Sequence, residues 1–115
     1  MKESGEKPTL AEILEMSKSA KPADRKTALK LFGSFASSID STTAFWRIVD
    51  FTIDEKPKLR KMAAEVLGNF DNEKLPEILG IIIEDANEPK EVREAAKNSL
   101  DRYKLRIQEK QLKPN

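Results

Sequence analysis

Two pairs of carboxylates stand four residues apart in this 115-residue sequence, Asp50 with Asp54 and Glu73 with Glu77. On a helix that spacing brings each pair together, and paired carboxylates can divide the roles of acid and base or hold a hard cation. The rest of a catalytic inventory is thin. There is no His and no Cys, which removes the commonest general base, the commonest zinc ligand, thiolate metal sites and disulfides. A nucleophile would have to be Ser, Thr, Lys or a carboxylate. Ser37, Ser38 and Ser41 cluster, but a turn between helices explains them as capping residues. Gly33, Gly68 and Gly80 stand alone within helical patterns and build no phosphate loop. The carboxylate pairs therefore read as solvated helix faces. The expectation is a protein that is not an enzyme and uses no metal or other cofactor.

The elements that must carry these residues are helices. Aromatic residues are only 6% and Gly is scarce, a composition that disfavours strands. Residues 1 to 7 are expected to be a flexible lead, and 8 to 113 a single domain. Thr9 and Glu12 have the spacing of a capping box and open a first helix with Leu10, Ile13 and Leu14 on one face. Pro22 suits the first turn of a second helix, which is expected to reach about residue 37 with Ala28, Leu31, Phe32, Phe35 and Ala36 apolar. A third follows Asp40 or Ser41 as N-cap and runs to about residue 53 on Phe45, Ile48, Val49 and Thr52. Trp46, Phe51 and Ile53 widen its apolar arc. A fourth starts at Pro57, and Leu59, Met62, Ala63, Val66, Leu67 and Phe70 make its stripe. A fifth covers about 73 to 85 with Leu75, Ile78, Leu79, Ile82 and Ile83. Asn87-Glu-Pro89 begins the sixth, whose stripe is Val92, Ala96, Leu100, Tyr103 and Ile107. The short links favour antiparallel neighbours. The third and fifth helices have arcs wider than one contact face requires, as solenoid packing would demand.

A recurrence underlies this pattern. Arg25-Lys-Thr-Ala28-Leu-Lys-Leu31-Phe32-Gly33 lies over Arg60-Lys-Met-Ala63-Ala-Glu-Val66-Leu67-Gly68, and Arg93-Glu-Ala-Ala96-Lys-Asn-Ser-Leu100 takes the same frame. A helix recurring at 33 to 35 residues marks a repeat architecture. The frame resembles the HEAT-repeat family, in the short, Arg- and Ala-rich form also found in bilin-lyase-like proteins. The matching segments are Pro57-Lys-Leu-Arg60-Lys-Met-Ala-Ala-Glu-Val-Leu-Gly68 and Glu91-Val-Arg93-Glu-Ala-Ala-Lys-Asn-Ser-Leu100. Leu75-Pro-Glu-Ile-Leu-Gly-Ile-Ile-Ile-Glu-Asp85 is similar to that family's second helix. The fit spans roughly residues 22 to 103 and is looser in the first repeat, where Asp24 stands at the position of Leu59. The resemblance implies an all-α, right-handed α-solenoid of about three antiparallel helix pairs that binds proteins through its inner surface. It also implies that Arg60, Arg93 and Asp85 tie one repeat to the next. The small pairs Ala63-Ala64 and Ala95-Ala96 would let paired helices approach closely.

Second helices line the inner surface of such a stack, so the expected partner-binding residues are Thr43, Trp46, Arg47 and Asp50 on the third helix and Glu73, Glu77 and Glu84 on the fifth. Trp46 reads as an interface anchor or as a ring partly buried between repeats, the second being favoured. Charged residues are 36% of the chain, above the roughly 25% of an average protein. The 21 basic and 20 acidic side chains nearly cancel, so no bulk field draws the chain to nucleic acid or membrane. Locally the balance is uneven. Lys97, Arg102, Lys104, Arg106, Lys110 and Lys113 form a basic end that supports nucleic-acid binding as the alternative. Against that alternative, cations near a helix C-terminus complement the macrodipole without any ligand. Leu105 and Leu112, off the main stripe, are expected to pack against a missing seventh helix, a partner, or a second copy of the chain through the last helix. Bilin-lyase-like activity is the most distant reading. The chain has no apolar signal core and no membrane-length apolar run, so a cytoplasmic protein is expected. Met1 and the long last helix are what a whole protein would have.

Overall fold

The computed structural model describes residues 7–112, and over these the protein is all-helical, with no strand. Six α-helices follow one another: α1 (Leu10–Met16), α2 (Pro22–Gly33), α3 (Ser41–Asp50), α4 (Pro57–Leu67), α5 (Leu75–Glu84) and α6 (Lys90–Leu112), with a 3-10 turn at Phe51–Ile53 after α3. The lead expected over 1 to 7 lies, apart from Lys7, outside the described residues, as does Lys113.

Local chemistry sets the helix starts. Thr9 Oγ1 accepts the Glu12 N–H at 3.2 Å and the Glu12 carboxylate accepts the Thr9 N–H at 2.8 Å, the reciprocal capping box. Pro22, Pro57 and Pro76 occupy the first positions of α2, α4 and α5, where a missing N–H costs nothing. The ends differ from the sequence reading. The second helix stops at Gly33 rather than near residue 37, and residues 34–37 continue as turns. The fifth starts at Leu75, leaving Glu73 in the preceding turn.

Phe32, Phe45, Phe70, Leu29, Ile48, Leu67, Leu75 and Leu79 are fully buried and form one continuous core. Leu29 joins it where Leu31 was expected; Leu31 is only partly buried. Ile53, expected to extend the arc of the third helix, is 85% exposed because the 3-10 turn rotates it outward while Phe51 stays inside.

α4 is the central element. It packs against α2 on one side and α6 on the other, and also meets α3 and the 3-10 turn. α1 lies on α2, α3 on α2 and α4, and α5 on α6. The approach is close because the contact surfaces are small: Ala63, Ala64 and Ala96 are fully buried. A Cβ at Gly33 would come within 2.9 Å of Val66, and one at Gly68 within 2.8 Å of the Ser99 Cβ. The molecule measures 46 × 42 × 18 Å, and the thin dimension leaves room for two helix thicknesses of roughly 10 Å each. No helix among the described residues is long and apolar enough to cross a membrane.

Candidate functional site

The expected partner-binding residues are all exposed. α3 presents Thr43, Trp46, Arg47 and Asp50, while α5 and the turn before it present Glu73, Glu77 and Glu84. Trp46 is 44% exposed, its ring held edge-on at 5.0 Å from that of buried Phe45. Ile81, on α5, is 68% exposed. Arg47 reaches Asp50 at 3.4 Å in an exposed pair. Glu73, Glu77 and Glu84 form no ion pair among the described residues. Arg47 and Asp50 also border an open groove of about 260 Å³ with Leu14, Ser17, Lys18, Phe51, Arg25 and Asp54. No cluster of three or more His, Cys, Asp or Glu among the described residues is placed to hold a metal ion.

Beneath this surface runs a relay of charged side chains. Arg25, in the first turn of α2, grips Asp54 with two nitrogens, Nε at 2.9 Å and Nη2 at 3.2 Å. Its Nη1 donates to the carbonyls of Ser19 and Ala20 at 3.1 and 3.0 Å. The two side chains are only 10% and 8% exposed. Burial pushes the Asp54 carboxyl up, but the Arg25 guanidinium and the Lys56 N–H, with the Arg60 charge, outweigh it and hold the group below the usual carboxylate range. The same hydrogen bond raises Arg25 above its ordinary value against burial. The next rung repeats the geometry. Arg60 Nε donates to both oxygens of Glu88 at 3.0 Å, and its Nη1 donates to the Asp54 carbonyl at 2.7 Å.

No family model matches the chain, and neither a curated protein nor a solved structure does.

Asp85 does not take the tying role that the resemblance implied. Its carboxylate is exposed and accepts the N–H of Asn87 at 2.9 Å, a local turn, and Glu88 reaches Arg60 instead. No local motif marks Arg25, Asp54 and Glu88 as a set. Their spacing held the signal: Arg25 and Arg60 are 35 residues apart, Asp54 and Glu88 34.

The basic end of α6 divides in two. Arg102 donates to the Glu65 carbonyl at 3.0 Å and to Ser99 Oγ at 3.0 Å. Arg106 donates to Asp71 at 3.1 Å and to the Phe70 carbonyl at 3.2 Å, and lies 5.8 Å from the centre of the Tyr103 ring. Lys110 meets the other oxygen of Asp71 at 2.6 Å. The Lys110 ammonium is the main reason the Asp71 carboxyl sits below the usual range, with Arg106 adding to it against a partial burial. Lys97 and Lys104 are exposed and make no ion pair among the described residues. Buried Ser99 donates to the Ala64 carbonyl at 2.6 Å, so α6 supplies side-chain donors to the carbonyls of the last turn of α4. Leu105 and Leu112 are both exposed.

Proposed function

We propose that this chain is a non-catalytic protein-binding scaffold, a short HEAT-like solenoid whose partner lies across the outward faces of α3 and α5. The observation that carries the reading is an asymmetry of the surface. Large apolar side chains are exposed on α3, the 3-10 turn and α5, at Trp46, Ile53 and Ile81, as they also are at Ile39 before α3 and at Leu105 and Leu112 on α6, whereas α4 shows none. Along α4 the exposed residues are Pro57, Lys58, Lys61 and Glu65, with no large apolar side chain beyond the proline ring. A half-exposed Trp on a helix that also exposes Arg47 and Asp50 has the composition of an interface centre with its polar rim. Arg47, Asp50, Glu77 and Glu84 would form that rim and set the partner's charge pattern.

The repeating Arg–carboxylate rungs and the succession of α2, α4 and α6 support the solenoid part of this reading. Extended faces of this kind bind by shape over several elements, and a scaffold needs no catalytic group.

The test is an affinity capture with the full chain, followed by identification of a stoichiometric protein partner. Arg47→Glu and Glu77→Lys should each release it while leaving the melting temperature unchanged, and Trp46→Ala should release it with a lowered melting temperature from the lost Phe45 contact. Retention by all three variants, or a salt-sensitive shift of RNA or DNA abolished by charge reversal at Lys97 and Lys104, would overturn the reading.

A further inference from the structure

Arg25, Arg60 and Arg93 are each the fourth residue of their helix. In the first two the Nε–H has a carboxylate from the loop before the following repeat, Asp54 at 2.9 Å and Glu88 at 3.0 Å. Arg93 Nε is buried and has no acceptor among the described residues. A buried charged donor without a partner is rare in native proteins, because its lost hydration is not replaced. The same atom that closes the first two rungs is thus left open in the third.

Arg93 borders an open groove of about 320 Å³ together with Ile83, Lys90, Glu94 and Lys97. Ile83 and the lysine stems give it aliphatic walls. Lys90 pairs with Glu94 at 3.6 Å in an exposed contact, so Arg93 and Lys97 carry the uncompensated positive charge. We propose that this groove docks the acidic end of a partner protein's helix, whose carboxylate takes the Arg93 Nε–H as Asp54 and Glu88 take those of Arg25 and Arg60. The groove takes Ile83 from α5 but none of the residues assigned to the α3 and α5 binding face, and the proposal does not depend on what binds there.

Two features argue that the occupant is not a second copy of this chain. In the repeat frame Ser19 stands 35 residues before Asp54, so a copy stacked end to end would bring a hydroxyl, already bonded to Asp24 at 2.7 Å, and no carboxylate. Close packing of a further helix on α6 would also meet Asp101, which stands 33 residues after Gly68 and is exposed.

The experiment follows the side-chain Nε–H resonances of the ¹⁵N-labelled full chain by NMR. The probe is a synthetic peptide of residues 47–58 of this sequence, which carries Asp54 in its own context, and the control is the same peptide with Asp54→Asn. The Arg93 signal should move saturably with the first peptide and stay in place with the second, while the Arg25 signal remains fixed. Arg93→Lys keeps the charge but removes the Nε–H, and the affinity should fall roughly tenfold. An unmoved Arg93 signal, or equal movement with both peptides, would overturn the proposal. Equal movement with inorganic phosphate at matched ionic strength would assign the groove to phosphate instead. Concentration-dependent self-association lost in Arg93→Gln would assign it to a second copy. Either result would also overturn it.

Discussion

Asp54 is the residue on which the electrostatics of the fold converge, since its carboxylate holds Arg25 while its carbonyl holds Arg60. Its folded pKa lies below that of an unfolded Asp, about 4, so the pairing stabilises the fold above that value and is lost as the pH falls through the lower folded one. Asp54→Asn leaves a buried guanidinium without its counter-charge and should cost roughly 3 kcal/mol at pH 7 in urea unfolding. The gap between variant and parent should begin to narrow below about pH 4, where the unfolded chain takes up the proton, and close as the pH falls through the lower folded value. Arg47→Ala removes only the exposed partner of Asp50 and should change stability by less than about 0.5 kcal/mol.

At the scale of elements, the close approach of α4 and α6 depends on Gly68. A Cβ there would stand 2.7 Å from Ser99 Oγ and 2.8 Å from Ser99 Cβ, on a helix that cannot move without disturbing the core. Gly68→Ala should therefore cost roughly 1–3 kcal/mol. Gly80, within α5, has nothing within 4 Å of a built Cβ. Gly80→Ala should accordingly stabilise by roughly 0.5–1 kcal/mol through helix propensity alone, and thermal melts of the two variants should move in opposite directions. The far half of α6 is held differently, by Arg106 and Lys110 on the half-exposed Asp71. Asp71→Asn should cost only about 0.5–1 kcal/mol, with the loss shrinking in high salt. Hydrogen exchange should quicken selectively along residues 104–112.

The whole molecule is organised about α4, which packs against α2, α3, the 3-10 turn and α6. Ala63 is fully buried at its centre. Ala63→Trp has no room to be accommodated locally, and the helical signal should lose its cooperative melt altogether. A melting temperature equal to the parent's would contradict the central placement. The same compactness makes the surface informative: apolar side chains that remain outside, such as Trp46 and Ile81, do so although a core was available to take them.

The helices, their prolines and capping residues, and the stripe of α4 are legible in the sequence because they rest on interactions between residues a few positions apart. The recurrence of Arg25, Arg60 and Arg93 is legible too, as periodicity. Which carboxylate each arginine finds is not, because it depends on how loops 28 or 29 residues away are carried over the helix by glycine- and alanine-lined packing. That is why Asp85, the acid directly after α5 and three positions before Glu88, gave way to Glu88. The basic stretch of α6 shows the same divide. Its charge is plain in the sequence, but only the approach of Asp71 and of the carbonyls in the last turn of α4 decided that Arg102, Arg106 and Lys110 would bond within the molecule and Lys97 and Lys104 be left outside.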